Sequence, residues 1–292
     1  DVQGDPKQFL PYITDAEILI THLARIDASV IDAGERLKVI GIARGGPVNV
    51  DVDEATKRKI PVLYAPGRNA ESVADLTIGL LIAEARGIAR AHSSLIAGHW
   101  RFDFYSENLL GVELEGKVLG LVGCGHVGRK VIERAKGFGM RLYVYDPYVP
   151  IAEVESLGAK SVDLDSLLKE SDFISIHARL TKETEELIGK EAFEKMKPTA
   201  ILINTARGGI VDEAALYEAL RDRRIAGAAI DTFKEEPLYD SPLLKLDNIT
   251  VTPHIGSATR EVALRSARLI AEEVASYIAG RRPRNIVNPS VL

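Results

Sequence analysis

The sequence predicts an α/β protein of two domains, the larger an open, doubly wound parallel sheet, and three observations carry that prediction. Apolar runs of strand length alternate with helix-period segments along most of the chain, the pattern of β–α–β units. At 292 residues there is room for about two domains with substantial cores. Residues 118–146, VLGLVGCGHVGRKVIERAKGFGMRLYVYD, then set a strand, a tight turn, a helix and a second strand in one unit.

Taken in order, the opening DVQGDPKQFLPYITD shows no clear strand, and residues 18–20 form the first strand core. Residues 26–33 read as a short helix. Residues 37–43 (LKVIGIA) read as a buried strand followed by the loop Arg44-Gly45-Gly46-Pro47. A helix over 54–58 leads to a strand over 61–65, and Pro66-Gly67-Arg68-Asn69 follows it. Residues 72–97 read as one long helix, apolar on more than one side through Val73, Leu76, Ile78, Leu80, Leu81 and Ala85. Such a helix is expected to be buried between domains or subunits. Trp100, the only tryptophan, is expected as a packing anchor at the domain junction. Beyond residue 146, strands at 173–177, 200–204, 227–231 and 249–252 alternate with helices near Ser166, Glu191 and Ala215, giving about six parallel strands. Residues 257–279 form a last amphipathic helix.

Composition removes several classes of function. A net charge of −5 and a pI near 5.8 argue against general binding to nucleic acid or anionic membrane. No apolar run approaches the roughly 18 residues of a membrane span, and no signal peptide is visible. Cys124, the only cysteine, has no internal disulfide partner, and no Cys/His spacing suggests a metal. The expectation is a cytoplasmic protein with a small-molecule substrate and without metal, nucleic acid or membrane.

Gly123-Cys124-Gly125-His126-Val127-Gly128 is G-x-G-x-x-G. Gly123 permits a tight turn, Gly125 lets the backbone approach a pyrophosphate, and Gly128 lets the helix lie close to the strand. The helix N-terminus offers unpaired N–H groups and the positive end of its dipole to that anion. Asp146 ends the second strand, 18 residues past Gly128, where an acid bonds the hydroxyls of an adenosine ribose. Alone, such a motif is often only a structural turn. A strand before it, a helix after it and an acid at the next strand end make it an NAD site.

In an open parallel sheet, ligands sit outside the carboxyl ends of the strands. Standing there are Thr205-Ala206-Arg207-Gly208-Gly209, then Asp231 and Thr232 with Glu235-Glu236-Pro237, then Pro253-His254-Ile255-Gly256, and His177. Of six histidines, His22, His92 and His99 lie outside this sheet and His126 lies in the phosphate turn, which leaves His177 and His254 for proton transfer. Arg207, Glu236 and His254 make a set for hydride transfer on a carboxylate-bearing alcohol. The arginine clamps a carboxylate through its planar fork. The histidine exchanges the hydroxyl proton, and the glutamate favours its imidazolium form. The alternative is that Arg207 and Glu236 merely pair at the surface. In the first domain, Arg44, Gly45, Gly46 and Arg68 follow adjacent strands and look like half of a substrate pocket, with bare amides for a carboxylate. The alternative there is that each arginine is solvated or paired with Asp51 or Glu71.

Four segments, GVELEGKVLGLVGCGHVG (111–128), INTARGGIVDEAAL (203–216), AAIDTFKEEP (228–237) and TPHIGSAT (252–259), resemble in order and spacing the D-isomer-specific 2-hydroxyacid dehydrogenases. This is the family of phosphoglycerate dehydrogenase and of glyoxylate/hydroxypyruvate reductase. The resemblance implies two Rossmann-like domains: a smaller flavodoxin-like substrate domain at 1–98, to which 259–292 return, and an NAD-binding domain at 99–258. It implies Arg207, Glu236 and His254 as the catalytic residues. Thr205, Asp231, His177 and Gly256 would lie at the cofactor, and a homodimer would form through the cofactor domain. The expected substrate is a doubly anionic 2-hydroxy acid, D-3-phosphoglycerate first, because Arg44 and Arg68 offer cations for a second anion. Glyoxylate or hydroxypyruvate reduction is the alternative, and an NAD-sensing corepressor-like binding module is a reading from another class. Two features depart from the family. Its usual opening strand and helix are not seen before residue 15, and His177-Ala178-Arg179-Leu180-Thr181 leaves Arg179 without a role.

Overall fold

In the computed structural model, which describes Gln8 and residues 10–292, the chain divides into two compact units, Asp1–Asn69 with Ala258–Leu292, and Ala70–Ser257. The first unit opens with α1 (Leu10–Ile13), β1 (Ile18–Thr21), α2 (Ala28–Ala33), β2 (Val39–Ile42), α3 (Val52–Lys57) and β3 (Val62–Tyr64). The second begins with α4 (Ala70–Ala85), α5 (Ile88–Ile96), β4 (Val118–Val122), α6 (His126–Lys136), β5 (Arg141–Tyr145), α7 (Ile151–Ser156) and β6 (Lys160–Ser161). It continues with α8 (Leu164–Glu170), β7 (Phe173–Ile176), α9 (Lys190–Lys195), β8 (Ile201–Asn204), α10 (Glu213–Arg221), β9 (Gly227–Ile230) and β10 (Ile249–Val251). Helix α11 (Arg260–Ile278) belongs again to the first unit.

In the first unit, β1, β2 and β3 pair in parallel in that order, and Thr21, Ile42 and Tyr64 stand in register, so the three carboxyl ends form one row. Strands β2 and β3 are apolar on both faces because both are covered, whereas Ile18 and Ile20 of the edge strand β1 are exposed. Ile40, Ile42 and Val62 pack with Val30, Ile31 and Ala55 on one side, while Val39 and Leu63 pack with Ile270 and Val274 of α11 on the other. Helices start where the sequence supplies acceptors. Asp27 Oδ1 takes the Ser29 N–H at 3.0 Å, and Asp51 Oδ1 takes the Glu54 N–H at 2.9 Å. The Val62 N–H donates to Asn288 Oδ1 at 2.8 Å, which ties the final segment to β3.

The second unit holds seven parallel strands in the order β10-β9-β8-β7-β4-β5-β6. Strand order reverses between β4 and β7, the switch point at which a doubly wound sheet opens a crevice. One face is packed by residues such as Leu167, Ile174, Phe193 and Leu216, the other by Leu81, Leu119, Val131 and Phe173. No helix among the described residues is long and apolar enough to cross a membrane.

Four expectations need correction. The sheet has seven strands rather than about six, because β6 is only two residues long and leaves no periodic signal. The boundary falls after Asn69 rather than after residue 98, since Ala74, Leu80 and Leu81 of α4 pack against Leu119, Val131 and Ile203. The single helix expected over 72–97 is two. Gly87 takes φ +61° between them, and the second, α5, buries no residue. Trp100 is no junction anchor, for it is 71 % exposed.

Candidate active site

The chain leaves β4 through the glycine loop. Gly123 has φ +101°, and a Cβ there would lie 2.6 Å from Ala178 N and 2.7 Å from the His177 carbonyl carbon. A Cβ on Gly128 would press on the Gly123 carbonyl oxygen. These two glycines close the turn against β7 and α6. At Gly125, in contrast, a Cβ would meet nothing within 4 Å, so the loop is open on the side a ligand would approach. Gly125 is the N-cap of α6 and provides no side-chain cap, which leaves the first-turn amides of His126, Val127 and Gly128 for an anion. Asp146, just past β5, is oriented by two backbone donors: Cys124 N–H to Oδ2 at 2.7 Å and Tyr148 N–H to Oδ1 at 2.9 Å. This cradle fits a pyrophosphate at the helix end and a ribose at the acid. Cys124 is buried beneath it, and burial pushes its thiol pKa up.

Strands β8, β9 and β10 are neighbours, so the residues following them share one edge. His254 takes φ +53°, a left-handed conformation costly for a side chain with a Cβ. The turn that imposes it is held by Asp231. Its main-chain oxygen accepts the His254 N–H at 2.9 Å, Oδ1 accepts Thr252 Oγ1 at 2.6 Å and Ile255 N–H at 2.8 Å, and Oδ2 accepts Gly256 N–H at 2.9 Å. Asp231 is fully buried, and all three of these side-chain bonds lead to the turn around His254. The His254 Nδ1 meets Glu236 Oε2 at 2.7 Å, while the other carboxylate oxygen, Oε1, accepts the Phe233 N–H at 2.9 Å. Glutamate and imidazole are thus fixed together and both remain open to solvent.

Arg207 arrives from β8. Asn204, the last residue of that strand, grips the loop by donating Nδ2–H to the Arg207 carbonyl at 2.9 Å and accepting the Ala206 N–H at 3.0 Å. A Cβ on Gly208 would overlap the Phe233–Lys234 backbone, so Arg207 and Glu236 are carried by two loops in direct contact. The guanidinium is exposed and bonds its own neighbour, Nη1 to Ala206 O at 2.6 Å, while Glu236 bonds His254 and Phe233. The described hydrogen bonds and ion pairs therefore do not include the Arg207–Glu236 surface pair.

His177 lies elsewhere in this picture. Its ring is enclosed under the glycine turn, its Nε2 sits 2.8 Å from Ser175 Oγ, and its buried Nδ1 has no hydrogen-bond partner among the described residues. Burial lowers its pKa to about 3, so it stays neutral and is no acid or base at neutral pH. This removes it from the two candidates for proton transfer. Thr205 is buried with its hydroxyl 2.8 Å from Thr77 Oγ1. Arg179 is exposed, and only its main-chain oxygen has a described bond, accepting Thr184 Oγ1 at 2.6 Å.

In the first unit, Arg68 is not solvated, being only 8 % exposed. Nor do the acids considered for it serve. Asp51 caps α3, and Glu71 pairs with Arg134 at 2.8 Å and Lys130 at 3.0 Å. The Arg68 main-chain oxygen accepts Arg265 Nη1 at 2.7 Å, and its own Nη1 donates to Ser266 Oγ at 3.0 Å. Gly45 and Gly46 would meet nothing within 4 Å with a Cβ added, so that loop is open. Sequence reasoning missed His22, which directly follows β1 as Arg44 and Arg68 follow β2 and β3 at short distance. Its position after ILIT was the available signal. It also missed Asn204 and Ser175, which are strand residues by pattern and reveal their roles only through hydrogen bonds.

Residues 78–256 match the family model described as D-isomer specific 2-hydroxyacid dehydrogenase, NAD binding domain. The D-3-phosphoglycerate dehydrogenase of Methanocaldococcus jannaschii is 43 % identical over 284 residues, covering 97 % of this chain and 53 % of that protein. The chain thus spans about half the length of that relative. The glyoxylate reductase of Thermococcus litoralis is 42 % identical, over 99 % of this chain and 90 % of that protein. Among solved structures, the TT0316 protein of Thermus thermophilus superimposes with a TM-score of 0.87 at 39 % identity, covering 98 % of this chain and 91 % of that one.

Proposed function

The chain belongs to the D-isomer specific 2-hydroxyacid dehydrogenase family, and on that premise we propose that it is a cytoplasmic enzyme interconverting a small 2-hydroxy acid and its 2-keto acid with NAD(H). The observation that carries this reading is the 2.7 Å contact of His254 Nδ1 with Glu236 Oε2 at the same sheet edge as Arg207. NAD, when bound, supplies or accepts the hydride at its nicotinamide. The side chains do the rest. In reduction, His254 gives the proton on Nε2, the nitrogen away from Glu236, to the carbonyl oxygen as that oxygen gains negative charge. Glu236 holds the ring orientation through its 2.7 Å contact with Nδ1. Arg207 binds the substrate carboxylate through its fork and draws charge toward the reacting carbonyl. Asp231 keeps His254 in its left-handed turn and acts as a positioning residue.

Gly123, Gly125, His126, Val127 and Gly128 would take the pyrophosphate, and Asp146 the adenosine ribose, which favours NAD over NADP. Thr205, His177 and Gly256 would line the cofactor pocket, with His177 as a neutral, packed wall. D-3-phosphoglycerate is the preferred substrate. Reduction of glyoxylate or hydroxypyruvate is a second reading, favoured by the full-length similarity to a glyoxylate reductase. A homodimer through the second unit is supported by Ile96, Trp100, Phe102 and Tyr105, exposed together on and after α5.

Oxidation of NADH by purified protein with glyoxylate, hydroxypyruvate and 3-phosphohydroxypyruvate tests the reading. Turnover on at least one is expected. NADH binding without turnover on any would move the chain to a nucleotide-sensing binding module.

A further inference from the structure

Arg207 and Glu236 ride on different loops, one after β8 and one after β9, yet both loops meet at the peptide joining Phe233 to Lys234. Gly208 lies so close to it that a Cβ there would overlap the Phe233 carbonyl and the Lys234 nitrogen. The place of Arg207 therefore follows the place of this peptide. One residue earlier, the Phe233 N–H donates to Glu236 Oε1 at 2.9 Å, and Glu236 Oε2 meets His254 Nδ1 at 2.7 Å. The Lys234 N–H is the donor of the shared peptide itself. It goes to Glu213 Oε1 at 2.5 Å.

Glu213 is mounted on a fixed base. It is the first residue of α10, where Asp212 Oδ1 accepts the Ala214 and Ala215 N–H groups at 3.0 and 3.1 Å. The Asp212 N–H donates to the Ile188 carbonyl at 3.1 Å, and Ala215, Leu216, Ala219 and Leu220 bury one face of the helix. An acid in a first helical turn is ordinarily accounted for by the positive end of the dipole. Glu213 also reaches out, to a loop twenty-one residues further along the chain. A main-chain donor on an ionised carboxylate makes one of the stronger hydrogen bonds. The same loop has a second tie, Lys234 Nζ to Glu186 Oε1 at 2.7 Å, but both of those side chains are about half exposed and such pairs contribute little. Of the two ties, the Glu213 bond decides where the peptide sits.

We propose that Glu213 is a positioning residue for hydride transfer, an inference that rests on the dehydrogenase reading above. Its carboxylate fixes the Phe233–Lys234 peptide, and through that peptide it sets the spacing between Arg207 and the Glu236–His254 pair. Arg207 must hold the substrate carboxylate while His254 reaches the adjoining carbonyl oxygen, so a shift of one loop against the other misplaces one of the two groups. The role depends on the reach of the side chain and on an acceptor oxygen at its end, not on its charge.

Two substitutions separate reach from charge. Glu213→Asp keeps the charge at the helix start, where an acid is favourable, but is one methylene shorter and loses the Lys234 N–H. Glu213→Gln keeps the length and an acceptor oxygen and loses the charge. NADH oxidation is followed with glyoxylate, hydroxypyruvate and 3-phosphohydroxypyruvate. On whichever acid wild type reduces, Glu213→Asp should lower kcat by about 10- to 100-fold, more than it raises KM, with the NADH Kd within a few-fold of wild type. Glu213→Gln should stay within about fivefold of wild type in kcat. Any other ordering, whether Asp as active as wild type or Gln as damaged as Asp, would overturn the proposal. If wild type reduces none of the three acids, the dehydrogenase reading fails instead, and amide hydrogen exchange decides the anchor alone. The Lys234 N–H should then exchange about tenfold or more faster in Glu213→Asp than in Glu213→Gln, and equal rates would overturn the anchor.

Discussion

His177 and His254 both stand just past parallel strands of one sheet, yet His177 buries its Nδ1 without a partner while His254 meets a carboxylate in the open. His177 follows β7, beside the central β4, where the glycine loop passes over the strand ends. The ring is enclosed there, and with no carboxylate near it burial alone drives its pKa to about 3. His254 follows β10 at the edge of the sheet. Its side chain is 45 % exposed and meets a carboxylate at 2.7 Å. The same residue type at the same kind of position thus buries an unpartnered ring nitrogen at the switch point and stands open beside a carboxylate at the edge. Position in the strand order, not the strand-end motif, decides which.

The comparison can be broken from either side. His254→Ala should lower kcat by about 10² to 10⁴ while leaving the NADH Kd within a few-fold of wild type, whereas His177→Asn should cost less than about tenfold in kcat. Comparable losses in the two variants, measured by steady-state kinetics, would erase the distinction.

Acid stability tests the burial of His177. A folded-state pKa near 3, against 6.5 for the free group, means the folded chain binds fewer protons than the unfolded chain between those values. The stabilisation is complete above about pH 6.5 and is lost as pH falls toward 3, by an amount of order 5 kcal/mol. Denaturant melts across that range should show a shallower acid limb in His177→Asn than in wild type. Coincident limbs would mean that His177 titrates as an ordinary histidine.

A smaller effect sharpens the account of His254. Asp231→Asn places an amide where Ile255 and Gly256 N–H groups need acceptors, so it should cost about 1–3 kcal/mol of stability. It should also lower kcat more than it raises KM, because the turn carrying His254 loosens. Loss of stability with kcat intact would make Asp231 purely structural. The smallest effect is at Asp146, where repulsion of a 2′-phosphate should give NADH about a tenfold or greater advantage over NADPH in kcat/KM. Parity between the two would contradict the role given to that acid.

Much of this was legible in the sequence because it is local. The glycine turn, the acid at the end of β5 and the strand–helix alternation are periodic signals, and the structure reproduces them. What was not legible depends on contacts between distant segments. Gly123 and Gly128 lie against the His177–Ala178 segment from a distant part of the chain. The partners of Asp231 lie more than twenty residues on. One glycine inside an apolar run does not announce the break at Gly87, and Trp100 reads as a packing anchor because hydrophobicity does not say whether a face is covered. The basic row of His22, Arg44 and Arg68 emerges only from the order of three strands spread over residues 18–64.

In the proposed reaction His254, Glu236 and Arg207 promote hydride transfer to the carbonyl carbon of a 2-keto acid. NADH carrying deuterium at the transferable C4 position, incubated with hydroxypyruvate and 3-phosphohydroxypyruvate, tests it by mass spectrometry and chiral analysis of the products. Deuterium is expected at C2 of a D-configured 2-hydroxy acid with wild type, with transfer slowed by about 10² or more in His254→Ala. NADH that binds wild type but delivers deuterium to neither acid, or label transfer that His254→Ala leaves unchanged, would contradict it.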